Sequence, residues 1–261
     1  MSSHKSTSLH VLSCALVLAL FTLSRALFAF DGWMEMRGTP RSGQDVKIIE
    51  HAAYVLGYDE NRRLAVWACV ILKEKDLALP RVKRTNRFLA DPAIASDPVA
   101  PGEYARSGFD RGHLVAAADV AHSETAMRES FYMSNMAPQA PACNRGVWRK
   151  LEAEVRNIAK REKAICVFTG PIFMQDKGSR TTIGPRALPV PDAFYKVVLD
   201  LTPPMKAIAF IVPNRGSKES LWMFATTVDQ TEALTGLDFF HELPDELENA
   251  LESHADAEAW K

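Results

Sequence analysis

The chain has 261 residues, 47% apolar and 24% charged, with a formal net charge of −1. Those values exclude a disordered or collagen-like chain and fit a globular protein with a sizeable core. The near-neutral balance is not itself the mark of a nucleic-acid binder, so such a function has to rest on local clusters.

Taken in chain order, residues 1–29 read as a leader. His4 and Lys5 make a weakly basic start, Leu9–Leu23 is almost wholly apolar, and Ala26-Leu27-Phe28-Ala29 offers small residues for cleavage. This is the pattern of a secretory signal peptide. The apolar run is short for a spanning helix, so an uncleaved anchor is the weaker reading and the only route to a membrane. A single Arg, Arg25, and no amphipathic period speak against a mitochondrial presequence. The mature chain is expected at 30–261, secreted or periplasmic.

Buried strands are predicted over Ala52–Gly57, Leu64–Leu72, Ala164–Thr169, Phe194–Leu201 and Met205–Val212, all rich in Val, Ile and aromatics. Residues 74–108 are polar and carry Pro80, Pro92, Pro98 and Pro101, which predicts a long loop. Helices are expected over His122–Met133, 144–163, Asp229–Leu234 and the acidic stretch Pro244–Ala259. A turn-rich loop is expected at Lys177–Pro191. The absence of repeats and linkers predicts one domain. Cys14 leaves with the leader; Cys69, Cys143 and Cys166 then permit one disulfide and a free thiol, or none.

The chemistry concentrates in two runs. Phe109-Asp110-Arg111-Gly112-His113-Leu114 places a carboxylate, a guanidinium and an imidazole together, and Asn144, Trp148, Glu152 and Arg156 follow at steps of four. Imidazole titrates near neutrality and can take a proton from water. Arginine's planar fork pairs two phosphate oxygens. Asp110 either orients a donor or pairs with Arg111. Gly112 is expected to allow a backbone conformation that aims the ring. If 144–163 is one helix, Asn144 and Glu152 lie ~12 Å apart along the axis and ~80° apart around it, able to flank one phosphate. Read alone, Asn144 is an N-cap. Basic residues cluster at Arg81-Lys83-Arg84-Arg87 and along 145–163, where phosphate contact is favoured over a merely solvated face.

These runs resemble the non-specific DNA/RNA endonucleases with a ββα-metal finger, the family that includes endonuclease G. The likeness extends to Phe131-Tyr132-Met133-Ser134-Asn135-Met136-Ala137-Pro138-Gln139, Thr169-Gly170-Pro171, Val190-Pro191 and Thr235-Gly236-Leu237-Asp238-Phe239-Phe240, so that it covers about 54–243. The resemblance implies a mixed α/β (α+β) fold with a mainly antiparallel central sheet. It implies His113 as general base, Asn144 as the direct ligand of a hydrated divalent ion (Mg²⁺ first, Mn²⁺ or another ion as substitute) and Glu152 as orienter of a metal-bound water. Arg111 and Arg156 would grip phosphate, Asp110 would support the site, and either Arg84 or Arg87 would fill the family's upstream arginine position. The partners implied are DNA and RNA, with a homodimer left open. The alternatives are an inactive nucleic-acid-binding protein of the same fold, or another metal-dependent phosphodiesterase or phosphatase.

Overall fold

The computed structural model describes residues 39–174 and 181–261. The predicted leader, and part of the loop expected at Lys177–Pro191, lie outside these residues. Among the described residues no helix is long and apolar enough to cross a membrane.

In chain order the strands are β1 (Arg41–Ser42), β2 (Lys47–Glu50), β3 (Tyr54–Asp59), β4 (Leu64–Lys73), β5 (Asp110–His113), β6 (Met136–Gln139) and β7 (Ala164–Ile172). They continue with β8 (Thr182–Ile183), β9 (Leu188–Pro189), β10 (Ala193–Asp200), β11 (Ala207–Pro213), β12 (Ala225–Thr226) and β13 (Leu237–Asp238). Seven of them form one sheet in the order β12-β11-β10-β7-β4-β3-β2, with every neighbouring pair antiparallel. The five predicted strands are β3, β4, β7, β10 and β11, with ends shifted by at most three residues.

Alternation along the strands divides the core between two faces of the sheet. Leu56, Ala68, Val70, Val167, Phe194, Val198 and Ile208 pack on one face with the helix Arg149–Arg161, through Leu151, Val155 and Ile158. Val55, Trp67, Cys69, Cys166, Phe168, Tyr195 and Val197 pack on the other with Val228, Phe239, Phe240 and Leu251. With both faces covered, the strands read as continuous apolar runs. Cys69, Cys143 and Cys166 are buried, with the Sγ atoms of Cys69 and Cys166 3.3 Å apart.

β4 and β7 are paired neighbours, yet residues 74–163 separate them in sequence. That insertion carries the finger: the hairpin β5–β6 and the helix Arg149–Arg161. The stretch expected as a long loop is mostly that, with a short helix at Glu74–Leu77 and a 3₁₀ turn at Pro101–Tyr104. The helix expected over His122–Met133 is confined to Glu124–Glu129, and the one over Pro244–Ala259 stops at Glu252 before a 3₁₀ turn at Ala257–Trp260.

The expected single helix over 144–163 is corrected. The α-helix begins at Arg149, after a wide π-type turn over Cys143–Trp148 that breaks at Gly146 (φ −105°, ψ −108°). The α-helix's N-cap position is Trp148, so Asn144 is not its cap and the straight-helix spacing from Asn144 to Glu152 does not apply.

Candidate active site

β5 and β6 pair with Asp110 opposite Gln139, Arg111 opposite Pro138, Gly112 opposite Ala137 and His113 opposite Met136. Gly112 has no left-handed backbone; its need is for space, because a Cβ there would lie 2.4 Å from Gln139 Oε1 and 2.6 Å from Gln139 Cβ. The expectation that Gly112 aims the ring by an unusual conformation is thereby corrected. The hairpin's end is locked by Asn135, a residue whose role its sequence context did not reveal. Its buried amide accepts from the Val115 N–H and donates to the carbonyls of Val115 and Ser130, each at 2.9 Å.

Asp110, Arg111, His113, Asn144 and Glu152 line a single cleft of about 630 Å³, together with Arg84, Arg145 and Arg149. The hairpin supplies the first three, the wide turn Asn144 and Arg145, and the first helical turn Arg149 and Glu152. The rings of Phe131 and Phe88 stand 4.9 and 6.0 Å from the His113 ring, the first edge-on. His113 Nε2 is buried and has no hydrogen-bond partner. Burial in this pocket, reinforced by the positive charge of Arg84, pushes the imidazole down to about 3. His113 is therefore uncharged at neutral pH, with the Nε2 lone pair or proton not engaged by any neighbour among the described residues.

Asp110 does not pair with Arg111. Its carboxylate takes two hydrogen bonds from Arg145, at 2.8 and 2.6 Å, and one from Asn144 Nδ2 at 2.9 Å. Partial burial raises the Asp110 carboxyl, but these hydrogen bonds outweigh it and hold the group below its ordinary range. Arg111 instead lies between aromatic rings, its guanidinium 5.0 Å from the Phe88 centroid and 5.6 Å from that of Tyr104, and donates to the Pro101 carbonyl at 2.7 Å. Phe88, Tyr104 and Pro101 all belong to the Pro-rich loop, whose hold on Arg111 is a long-range contact without a local sequence signal.

Glu152 is half-buried, and burial lifts its carboxyl to about 7 despite the opposing charge of Lys196 and more distant cations. Lys196 lies beneath, fully buried, donating to Thr169 Oγ1 at 2.7 Å with its ammonium 5.0 Å from the Trp148 ring. Because the Asn144 amide nitrogen is spent on Asp110, its oxygen is the free end, and no hydrogen bond reaches that oxygen among the described residues. An unengaged amide oxygen and a carboxylate raised by burial, in one polar cleft, suit a hard divalent ion that keeps most of its water.

Two expected phosphate contacts sit elsewhere. Arg156 donates to Asp119 Oδ1 at 2.7 Å and lines a neighbouring hollow with His122 and Lys160. Arg87 is exposed outside the cleft wall, so of the two upstream candidates Arg84 is the one that reaches the site.

The chain is similar to Nuclease C1 of Cunninghamella echinulata var. echinulata, 35% identical over 79% of this chain and 86% of that protein. It is 33% identical to the mitochondrial nuclease EXOG of Danio rerio over 78% of this chain, spanning 63% of that relative. A crystal structure of the EndoG/EndoGI complex, which addresses the mechanism of EndoG inhibition, matches with a TM-score of 0.75 at 29% identity, over 84% of this chain and 94% of the solved one. The sequence pattern that defines DNA/RNA non-specific endonucleases matches residues 34–246, and the chain belongs to that family.

Proposed function

We propose that this nuclease hydrolyses phosphodiester bonds of both DNA and RNA with the help of Mg²⁺, with His113 as general base. The observation that carries the reading is one cleft holding an uncharged imidazole with an unpartnered Nε2, an unengaged amide oxygen and a half-buried carboxylate.

His113 Nε2 takes the proton of the attacking water; its neutral state at working pH follows from the dry aromatic pocket. Asn144 Oδ1 would hold the ion, and Glu152 would accept hydrogen bonds from its water shell. An ion held there would supply Lewis-acid stabilisation of the phosphoryl oxygen and the leaving 3′ oxygen. Asp110 acts through Asn144, fixing which end of the amide faces the cleft. Arg84 and Arg111 offer positive charge to the phosphate, and Arg145 and Arg149 extend that charge along the cleft wall. Cations that meet backbone phosphate carry no base identity, which supports a broad choice of substrate.

The leader over 1–29 supports export to the periplasm or outside the cell. Several relatives are named as mitochondrial nucleases, but the single arginine of this leader favours the secretory route. The decisive experiment incubates the purified protein with plasmid and with RNA, in Mg²⁺ or in EDTA. Degradation of both polymers in Mg²⁺ and of neither in EDTA is expected. Cleavage of one polymer only, or cleavage indifferent to EDTA, overturns the proposal, and binding without turnover would favour the inactive binder.

A further inference from the structure

On the far side of the sheet from the finger, five carboxylates converge. Asp229 and Glu232 come from the helix Val228–Thr235, Asp238 from β13, and Glu248 and Glu252 from the helix Asp245–Glu252. Carboxylate oxygens of Asp229, Glu232 and Glu252 lie within 4.8 Å of one another, and so do those of Asp238, Glu248 and Glu252. Glu252 belongs to both groups. It is only 6% exposed, and its Oε1 is buried with no hydrogen-bond partner.

The arrangement is costly as it stands. Among the described residues no basic group comes within ion-pairing distance of Asp229, Glu232, Glu248 or Glu252. Arg41 reaches Asp238 at 3.5 Å from the exposed rim. Glu252 is also the last residue of its helix, where the backbone dipole disfavours negative charge. Desolvation, then the neighbouring charges of Glu232 and Glu248 and a hydrogen bond shared with the Glu232 carboxyl group, push its carboxyl up to about 8. Five carboxylates this close, around a buried oxygen without a hydrogen-bond partner, leave room for a shared proton or a bound cation among them. Oxygen donors from three elements, without a His or Cys ligand among them, match the hard, irregular coordination of calcium.

We propose that Asp229, Glu232, Asp238, Glu248 and Glu252 form a second divalent-cation site of the Ca²⁺ class, separate from the catalytic cleft. Its role is structural: it ties the two helices and β13 to one another over the core formed by Val228, Leu237, Phe239, Phe240 and Leu251.

The test is thermal unfolding of the full protein in EDTA and with Ca²⁺, in an Asn144→Ala background that removes the proposed catalytic ligand. With the site intact, Ca²⁺ at a hundredfold excess over its Kd should raise Tm by about 5 °C. Glu252→Gln keeps the shape and removes the central charge, so its Tm in EDTA should be unchanged or higher while the Ca²⁺ response disappears. Should Glu252→Gln fail to fold, the less buried pair Asp229→Asn with Glu248→Gln should blunt the response instead. A Tm indifferent to Ca²⁺ but rising as pH falls from 8 to 6 would identify a shared proton and overturn the proposal. A full Ca²⁺ response in the Glu252→Gln protein would overturn it as well.

Discussion

Asp110 and His113 sit three residues apart on one four-residue strand, yet the two ends of that strand are different chemical environments. The Asp110 end is polar: Arg145, 73% exposed, grips the carboxylate from the solvent side, and Asn144 completes its hydrogen bonds. The His113 end is dry: Phe88 and Phe131 wall the ring, and no group satisfies Nε2. One group is thereby kept charged and the other uncharged at the same pH. Two titratable side chains whose environments push them apart suit different work, and in the proposed mechanism these are a proton acceptor and an orienting anion. Alternation points the two side chains to opposite faces of the strand, but it does not by itself make those faces chemically different. The turn at 143–148 and the loop at 84–104 do so, by bringing polar groups to one end and aromatic ones to the other.

Removing the proposed base at the dry end should have the largest effect. His113→Ala is expected to lower turnover ~10²–10⁴-fold with Mg²⁺ dependence retained. Near-normal turnover by a folded His113→Ala protein would dissolve the division of labour.

At the polar end the expected losses are smaller. Asp110→Ala should cost ~10–100-fold in metal affinity or activity, because the amide that Asp110 orients would turn freely. Asn144→Ala should raise the Mg²⁺ concentration needed and lower activity together. Since the helix's N-cap position is Trp148 and Asn144 caps nothing there, Asn144→Ala should lack the ~1 kcal/mol stability loss of a missing cap. Kinetics against Mg²⁺ and a melting curve on the same sample read both quantities; a lower Tm with unchanged metal demand would return Asn144 to a structural role.

The contrast also predicts a slope in stability. Unfolded His binds a proton near pH 6.5, whereas folded His113 does so only near 3. Between those values the unfolded state carries more protons, so this group's contribution is present above pH 6.5 and is lost as pH falls toward 3. Denaturant titrations of wild type and His113→Ala should converge on acidification. Parallel curves would mean that the imidazole is as well solvated folded as unfolded.

Much of this was legible in the sequence. The five central strands were visible because β-branched and aromatic runs bounded by turns leave little choice, and Leu151, Val155 and Ile158 showed the helix's buried stripe. The helix start was misplaced because Gly146 is a weak breaker in a segment otherwise free of Gly and Pro, and a wide turn has no propensity signature of its own. Asp110, Arg111 and His113 were legible as a group, but their pairings were not. Arg145 rather than Arg111 takes Asp110, and Phe88 and Tyr104 hold Arg111, through contacts that local spacing does not encode.

Arg156 shows the same limit and gives the smallest expected effect on chemistry. Its four-residue step from Glu152 placed it beside the site, and a phosphate grip was the natural reading. The structure places its guanidinium on Asp119, with the Arg156 side chain 18% exposed and that of Asp119 5%. A guanidinium already spent on a buried carboxylate has little to offer a phosphate. Arg156→Ala should therefore change kcat/KM by no more than a few-fold. It should lower stability by ~1–3 kcal/mol, mostly through Asp119 left buried without its donor. Arg156→Ala with Asp119→Ala should recover part of that loss, since the orphaned charge is gone. If instead Arg156→Ala lowers kcat/KM a hundredfold with an unchanged melting curve, the side chain leaves Asp119 for phosphate when substrate binds, and the polar end of the site reaches one helical turn further than the cleft wall.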